Sequence, residues 1–184
     1  MTKINTVTKS RKPLTCRICR TDLPVGSSYT WVAHFRQPKL VHCTSCSWKQ
    51  SELTGSDLQR RAWEAVESMV ANLQDWDGIN NDWADVQSWA SDCEQELQEV
   101  ADEYEAACDA FENGAPPSQL EELRDSCGDA AANCDIDCCG SDWGEDHCDD
   151  LTGDELPREG DEFDSWLDET RENLISHFEG LLDF

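Results

Sequence analysis

Residues 14–50 read LTCRICRTDLPVGSSYTWVAHFRQPKLVHCTSCSWKQ, framed by two Cys-x2-Cys pairs, Cys16/Cys19 and Cys43/Cys46, with 23 residues between them. Each pair sits on one tight turn and presents two thiolates to a single point. Two such turns supply the four ligands that zinc(II) takes in a tetrahedron. Metal binding then provides folding free energy that a module of this size cannot draw from a core. Four protein ligands leave no position for water, which marks the site as structural. His42 beside Cys43, and His34 in the intervening loop, leave a three-cysteine, one-histidine set as the alternative. Pro24 and Gly26 mark a turn before the apolar run Tyr29–Val32, so the module is expected to hold short β-strands.

On the N-terminal side, residues 1–13 are basic and poor in apolar side chains, which predicts a flexible tail ahead of a finger at 14–55. On the C-terminal side, residues 56–184 change to helical periodicity. Ser56 and Gln59 open one helix as a capping box, with Leu58, Ala62, Val66, Met69, Leu73 and Trp76 on its apolar face. A second helix is expected over 82–112, its stripe running Val86, Trp89, Cys93, Leu97, Val100, Tyr104, Ala107 and Phe111. Asn113-Gly114 and Pro116-Pro117 end it. Ser118-x-x-Glu121 reads as another capping box, and a stripe from Leu120 to Cys138 returns antiparallel to the first. An Asp/Gly-rich loop over about 140–160 precedes a last helix from Asp161, expected to bury Phe163, Trp166, Leu167, Leu174, His177, Phe178 and Leu181. The fold class is therefore mainly α: a small N-terminal zinc finger, then an acidic helical body built on an antiparallel hairpin.

The chain has 184 residues, 40 of them Asp or Glu and 14 Lys or Arg, for a net charge of −26. That length fits one or two small domains and excludes a (β/α)₈ barrel of ~250 residues. The charge is segregated. Residues 1–61 hold eleven basic and three acidic side chains, net +8; residues 62–184 hold the other 37 acids and three arginines, net −34. Adaptation to high salt spreads acids over every surface, whereas segregation points to two regions with different electrostatic partners. An acidic face kept only for solubility is the plainer alternative.

No stretch approaches the ~20 apolar residues that span a bilayer, so no membrane partner is expected. Met1 to Pro13 lacks the apolar core of a secretory signal. Eleven cysteines, an odd number, then suggest thiols and metal in a reducing cytoplasm. No nucleophile elbow, phosphate loop, dinucleotide glycine pattern or metalloprotease helix is present, and a non-catalytic protein is expected.

The run Cys16-x2-Cys19, Pro24-Val25-Gly26, Tyr29-x-Trp31 and His42-Cys43-x2-Cys46 resembles the small zinc fingers of many phage proteins, themselves similar to the poly(ADP-ribose) polymerase-type finger. The continuation Ser51-Glu52-Leu53-Thr54, with the acidic helical run Val100–Tyr104, looks like a group of uncharacterised phage-encoded proteins. The resemblance implies a phage accessory protein acting in the host cytoplasm. It departs from the polymerase-type finger in its second half, where Cys43-x2-Cys46 replaces His-x2-Cys, so recognition of nicks or DNA ends is not implied.

Seven cysteines lie outside the finger. Cys93, Cys127, Cys134 and Cys138 fall on helix stripes, where a thiol is a small apolar filler. Cys134, Cys138, Cys139, His147 and Cys148 form a candidate second metal set. Asp135-x-Asp137-x-Cys139-Gly140, with Asp146 at the twelfth position, partly matches a calcium loop but lacks its oxygen ligand and bidentate Glu. Around the finger, Arg17, Arg20, Arg36, Lys39 and Lys49 interleave with Trp31 and Trp48. That pattern suits phosphate contact and base stacking, unless the two tryptophans are the finger's own core.

Two functional expectations follow. The leading one is that the acidic body, through carboxylates such as Asp92, Glu96, Glu99, Asp102, Glu103, Asp109, Glu121, Glu122 and Asp125, engages a basic, nucleic-acid-binding host protein as a DNA mimic. The other is a nucleic-acid-binding zinc finger whose helical body is a spacer or oligomerisation element.

Overall fold

The computed structural model describes residues 2–34, 38–111, 116–136 and 161–182, and divides into two compact units, 1–63 and 64–184.

The first unit is built on short antiparallel strands. β1 (Asn5–Val7), β4 (Tyr29–Val32) and β5 (Leu40–Cys43) form one sheet in the order β1-β4-β5. β2 (Leu14–Thr15) and β3 (Asp22–Leu23) form a two-stranded ribbon. β1 lies in the stretch whose composition suggests a tail. Its register, Asn5 opposite Trp31 and Val7 opposite Tyr29, makes that stretch an edge of the sheet. Ser10 fastens it further. Its N–H donates to the Ser27 carbonyl at 2.8 Å and its hydroxyl to the Pro24 carbonyl at 2.9 Å. The turn carrying Pro24 has Gly26 at φ +96°, a conformation that glycine adopts without a steric cost. A short α1 (Gln50–Leu53) closes the strand region, and α2 (Asp57–Gln74) begins with the Gln59 N–H donating to the Ser56 hydroxyl at 3.4 Å.

Apolar burial in this unit is small: Cys16, Leu23, Val32 and Ala62 are its buried hydrophobic residues among those described. Strand alternation explains the pattern. Val32 and His42 point to the covered face and are fully buried, whereas Tyr29, Trp31 and Val41 lie on the other face and are half-buried.

The second unit is helical: the rest of α2, then α3 (Trp83–Asp109), α4 (Ser118–Ala132) and α5 (Asp161–Glu179). Val66, Met69 and Leu73 are buried on α2 and Trp76 just past its end, with Val86, Cys93, Leu97, Val100 and Tyr104 on α3. α3 and α4 pack side by side. Cys93 meets Cys134, while Glu105 and Cys108 face Arg124, so the two run antiparallel. The connection between α2 and α3 is shaped by hydrogen bonds. Asp77 Oδ1 accepts the N–H groups of Ile79 and Asn80 at 2.9 and 2.8 Å. These donors hold the Asp77 carboxyl down at about 2. Asp82 caps α3 by accepting from the Ala84 and Asp85 amides, and Asp85 reciprocates.

Trp76 centres an aromatic cluster, 5.9 Å from both Trp83 and Trp166, with Phe163 5.8 Å beyond Trp166. Gly78, at φ +68°, passes so close to α5 that a Cβ there would lie 2.8 Å from Phe163 Cζ.

Four expected helical details differ. Phe111 lies past the end of α3 and is exposed, because the helix stops at Asp109. His177 is exposed, its Nε2 2.7 Å from the Asn133 carbonyl, and Leu182 rather than Leu181 is buried. Ser118 is the first residue of α4, not its cap. Pro117 holds the cap position with no side-chain hydrogen bond.

Candidate metal centre

The first Cys-x2-Cys turn joins β2 to β3, and the second follows the end of β5. In the first, the Arg20 N–H donates to the Cys16 carbonyl at 3.1 Å, with Arg20 in the left-handed region at φ +59°. The Cys16 N–H donates to the Thr21 carbonyl at 2.9 Å, closing the knuckle. In the second, the Cys46 N–H donates to the Cys43 carbonyl at 3.3 Å. The Arg17 N–H reaches the Val41 carbonyl at 2.9 Å and so ties the first knuckle to β5.

These constraints bring four sulfur atoms together. Cys43 and Cys46 are 3.5 Å apart, Cys19 and Cys43 3.7 Å, and Cys16 and Cys46 3.9 Å, with all four inside 4.8 Å of one another. A tetrahedral ion with metal–sulfur bonds of ~2.3 Å sets its sulfurs about 3.8 Å apart. The four cysteines therefore lie where a metal ion could be held.

The electrostatics point the same way. The Thr21 hydroxyl and backbone N–H against its sulfur hold the Cys19 thiol down at about 6. Cys46 is pushed up to about 12, first by the adjacent Cys43 sulfur and then by burial. Four thiolates this close repel one another, and a cation at their centre removes that conflict. The Cys43 N–H also donates to Cys16 Sγ at 3.3 Å, a backbone contact that favours the thiolate.

Neither histidine joins the cluster. His42 is fully buried on the covered face, its ring stacked on Trp48 at 3.8 Å and its Nε2 3.1 Å from Glu52 Oε1. His34 Nε2 donates to the Glu52 carbonyl at 2.9 Å. Glu52 also accepts the Lys49 N–H at 3.3 Å, so one carboxylate links α1 to β5. The Glu52 and Thr21 contacts escape spacing arguments, since neither residue belongs to the four-cysteine pattern.

The basic and aromatic side chains divide between two faces. Trp31 is half-buried on the open sheet face with the Lys39 ammonium 3.8 Å from its ring centroid. Trp48 lies on the opposite face, stacked on His42 and donating to Thr30 Oγ1 at 3.0 Å. The pair thus cannot form one stacking platform. Arg17, Arg20 and Lys49 are exposed, and Arg36 lies outside the described residues.

Cys134 is buried beside Cys93. Its expected metal partners Cys138, Cys139, His147 and Cys148 lie outside the described residues, as do Asp137 and Asp146 of the calcium-loop pattern. Among the described residues, no helix is long and apolar enough to cross a membrane.

No protein-family model, curated protein or solved structure matches the chain.

Proposed function

We propose that the chain is a non-catalytic binding protein, of the phage-encoded accessory kind its finger resembles, whose acidic helical unit engages a basic surface on a host cytoplasmic protein. The observation that carries this reading is the outer face of the α3–α4 hairpin. Asp92, Glu94, Glu99, Asp102, Glu103, Glu105 and Asp109 on α3, with Glu122, Asp125 and Asp129 on α4, are exposed. Arg124, held by Asp125 at 2.6 Å, is the one basic side chain in the sequences of α3 and α4. At ~1.5 Å of rise per residue the α3 set spans about 26 Å, so the ten carboxylates amount to about one charge per 2.6 Å. Duplex DNA carries one per ~1.7 Å, the same order of density. A cleft of about 400 Å³ between the helices, lined by Asp102, Glu105, Asp125 and Asp129 with Arg124 among them, offers lysine or arginine side chains a recess of net negative charge.

The four-cysteine centre takes zinc in this reading. Four thiolates at tetrahedral spacing suit zinc, and iron in the same set is the outcome that metal analysis separates. When bound, zinc supplies cross-linking of the two knuckles. Cys16 and Cys19 anchor the β2–β3 ribbon to it, while Cys43 and Cys46 anchor the end of β5.

A second reading is favoured by the open face of the sheet, where Tyr29, Trp31 and Lys39 sit in a region of net charge +8. Two aromatics and one cation there suit a nucleic-acid strand.

Affinity capture from host lysate, with and without nuclease, tests the leading reading. The full chain should retain nuclease-resistant basic proteins, and Asp102→Asn/Glu105→Gln/Asp125→Asn/Asp129→Asn should lose them. Retention of the same proteins by that variant would leave the helical unit as a spacer.

A further inference from the structure

Trp89 is set apart from the other described tryptophans of the helical unit. Trp76, Trp83 and Trp166 belong to the core at 1%, 5% and 3% exposure, whereas Trp89 is half-buried on α3. It lines a groove of about 140 Å³ between α2 and α3. One face of each helix meets the other there. Trp89, Asp92, Cys93 and Glu96 line the groove from α3, at positions i, i+3, i+4 and i+7, opposite Met69 and Asn72 of α2. Met69 and Cys93 are buried and make its floor apolar. Asp92 is exposed at the rim, with Glu96 half-buried one turn further on. The volume falls well below the ~300–1,000 Å³ of small-molecule sites, which leaves room for one side chain rather than a cofactor.

We propose that this groove receives one arginine side chain of the basic partner; the proposal rests on the leading reading above and names the residue type that docks. The apolar floor suits the methylene stem, since long cationic side chains bury their stems along apolar surface. The Trp89 ring attracts a cation over its face. A planar, weakly hydrated guanidinium stacks there, whereas a lysine ammonium is compact and holds its water tightly. Asp92 and Glu96 supply carboxylate acceptors for the fork of guanidinium N–H donors, and Asn72 adds an amide carbonyl from α2. The net charge of −34 over residues 62–184 draws in a cation of either kind. The aromatic wall is what separates arginine from lysine. The larger cleft between α3 and α4 has no aromatic among its described lining residues, so it accepts both.

Oligo-arginine and oligo-lysine peptides of equal length, titrated into the isotope-labelled, zinc-loaded full chain at physiological ionic strength, test this by nuclear magnetic resonance. The Trp89 indole N–H signal is identified by its loss in Trp89→Phe. Oligo-arginine should shift that signal and bind about fivefold more tightly than oligo-lysine. Trp89→Leu, which keeps apolar bulk without a π face, should bind the two peptides equally. Asp92→Asn/Glu96→Gln should weaken oligo-arginine as read at the Trp89 signal, whereas neutralising Asp102, Glu105, Asp125 and Asp129 should leave the arginine preference in place. If Trp89→Leu does not fold, the wild-type signal and the two affinities decide. An unmoved Trp89 signal, or equal affinity of the wild type for both peptides, would overturn the proposal and leave the acidic unit a binder of basic surfaces. An arginine preference that persists in folded Trp89→Leu would also overturn it. Binding of neither peptide would overturn the proposal and the leading reading together.

Discussion

Cys43→Ser removes the sulfur that stands closest to two others in the cluster, 3.5 Å from Cys46 and 3.7 Å from Cys19. Its consequence follows from how little else holds the N-terminal unit. Leu23 and Val32 are the larger aliphatic side chains buried there. At ~1.5–3 kcal/mol for each fully buried side chain they contribute about 3–6 kcal/mol, whereas a structural zinc site contributes about 10–16 kcal/mol. Serine keeps the shape of the β5 terminus but is a poor zinc ligand. Zinc affinity should therefore fall by well over the ~10–100-fold that loss of an outer hydrogen-bonding partner costs. Metal analysis after dialysis should find about one zinc per chain in the wild type and far less in the variant. Hydrogen exchange should show β4 and β5 losing protection, while helical circular dichroism stays near wild type because residues 64–184 have their own core. A Cys43→Ser protein that retained full zinc, or kept protected β4–β5 amides without it, would refute the reasoning.

Gly78→Ala places a Cβ 2.8 Å from Phe163 Cζ at a φ of +68°, and should cost about 2–3 kcal/mol in denaturant unfolding of the helical unit. Trp76→Ala empties the centre of the aromatic cluster and should cost about 3–5 kcal/mol by the same assay. Glu52→Ala strips a fully buried His42 of its carboxylate partner and should lower the unfolding midpoint of the N-terminal unit more than Glu52→Gln does. Asp77 has a depressed pKa, so its contribution is fully present above the unfolded value of ~3.9 and is lost as pH falls through about 2. An acid titration should accordingly show wild type losing stability relative to Asp77→Asn between about pH 4 and 2.

The cysteine spacing and the helical periodicity were legible because each is a local rule with a geometric consequence. Two residues between cysteines fit one turn, and Val86, Cys93, Leu97, Val100 and Tyr104 recur at the helical period on one buried face. The edge strand at Asn5–Val7 was not legible: its place depends on pairing with Tyr29–Trp31, more than twenty residues away, and its composition argues only for polarity. Strand alternation likewise turns Trp31 away from Thr30 and His42, against which Trp48 packs, and charge and aromatic content do not encode that. His177 fell on the helical stripe, yet it reaches the Asn133 carbonyl instead, a partner supplied by tertiary packing. The Cys93–Cys134 contact has the same origin, since two stripes predict burial of both thiols without predicting which residues meet.

In the proposed function, the acidic helical unit competes with nucleic acid for a basic protein surface. The most direct measurement is displacement of a labelled DNA duplex from a captured basic partner by the zinc-loaded full chain, followed across salt concentrations. Electrostatic steering predicts displacement at low salt that weakens steeply as the Debye length shrinks from ~10 Å at 0.1 M toward ~3 Å at 1 M. The variant neutralised at Asp102, Glu105, Asp125 and Asp129 should displace far less duplex at every salt concentration. Equal displacement by the variant, or none by the wild type at low salt, would contradict the claim.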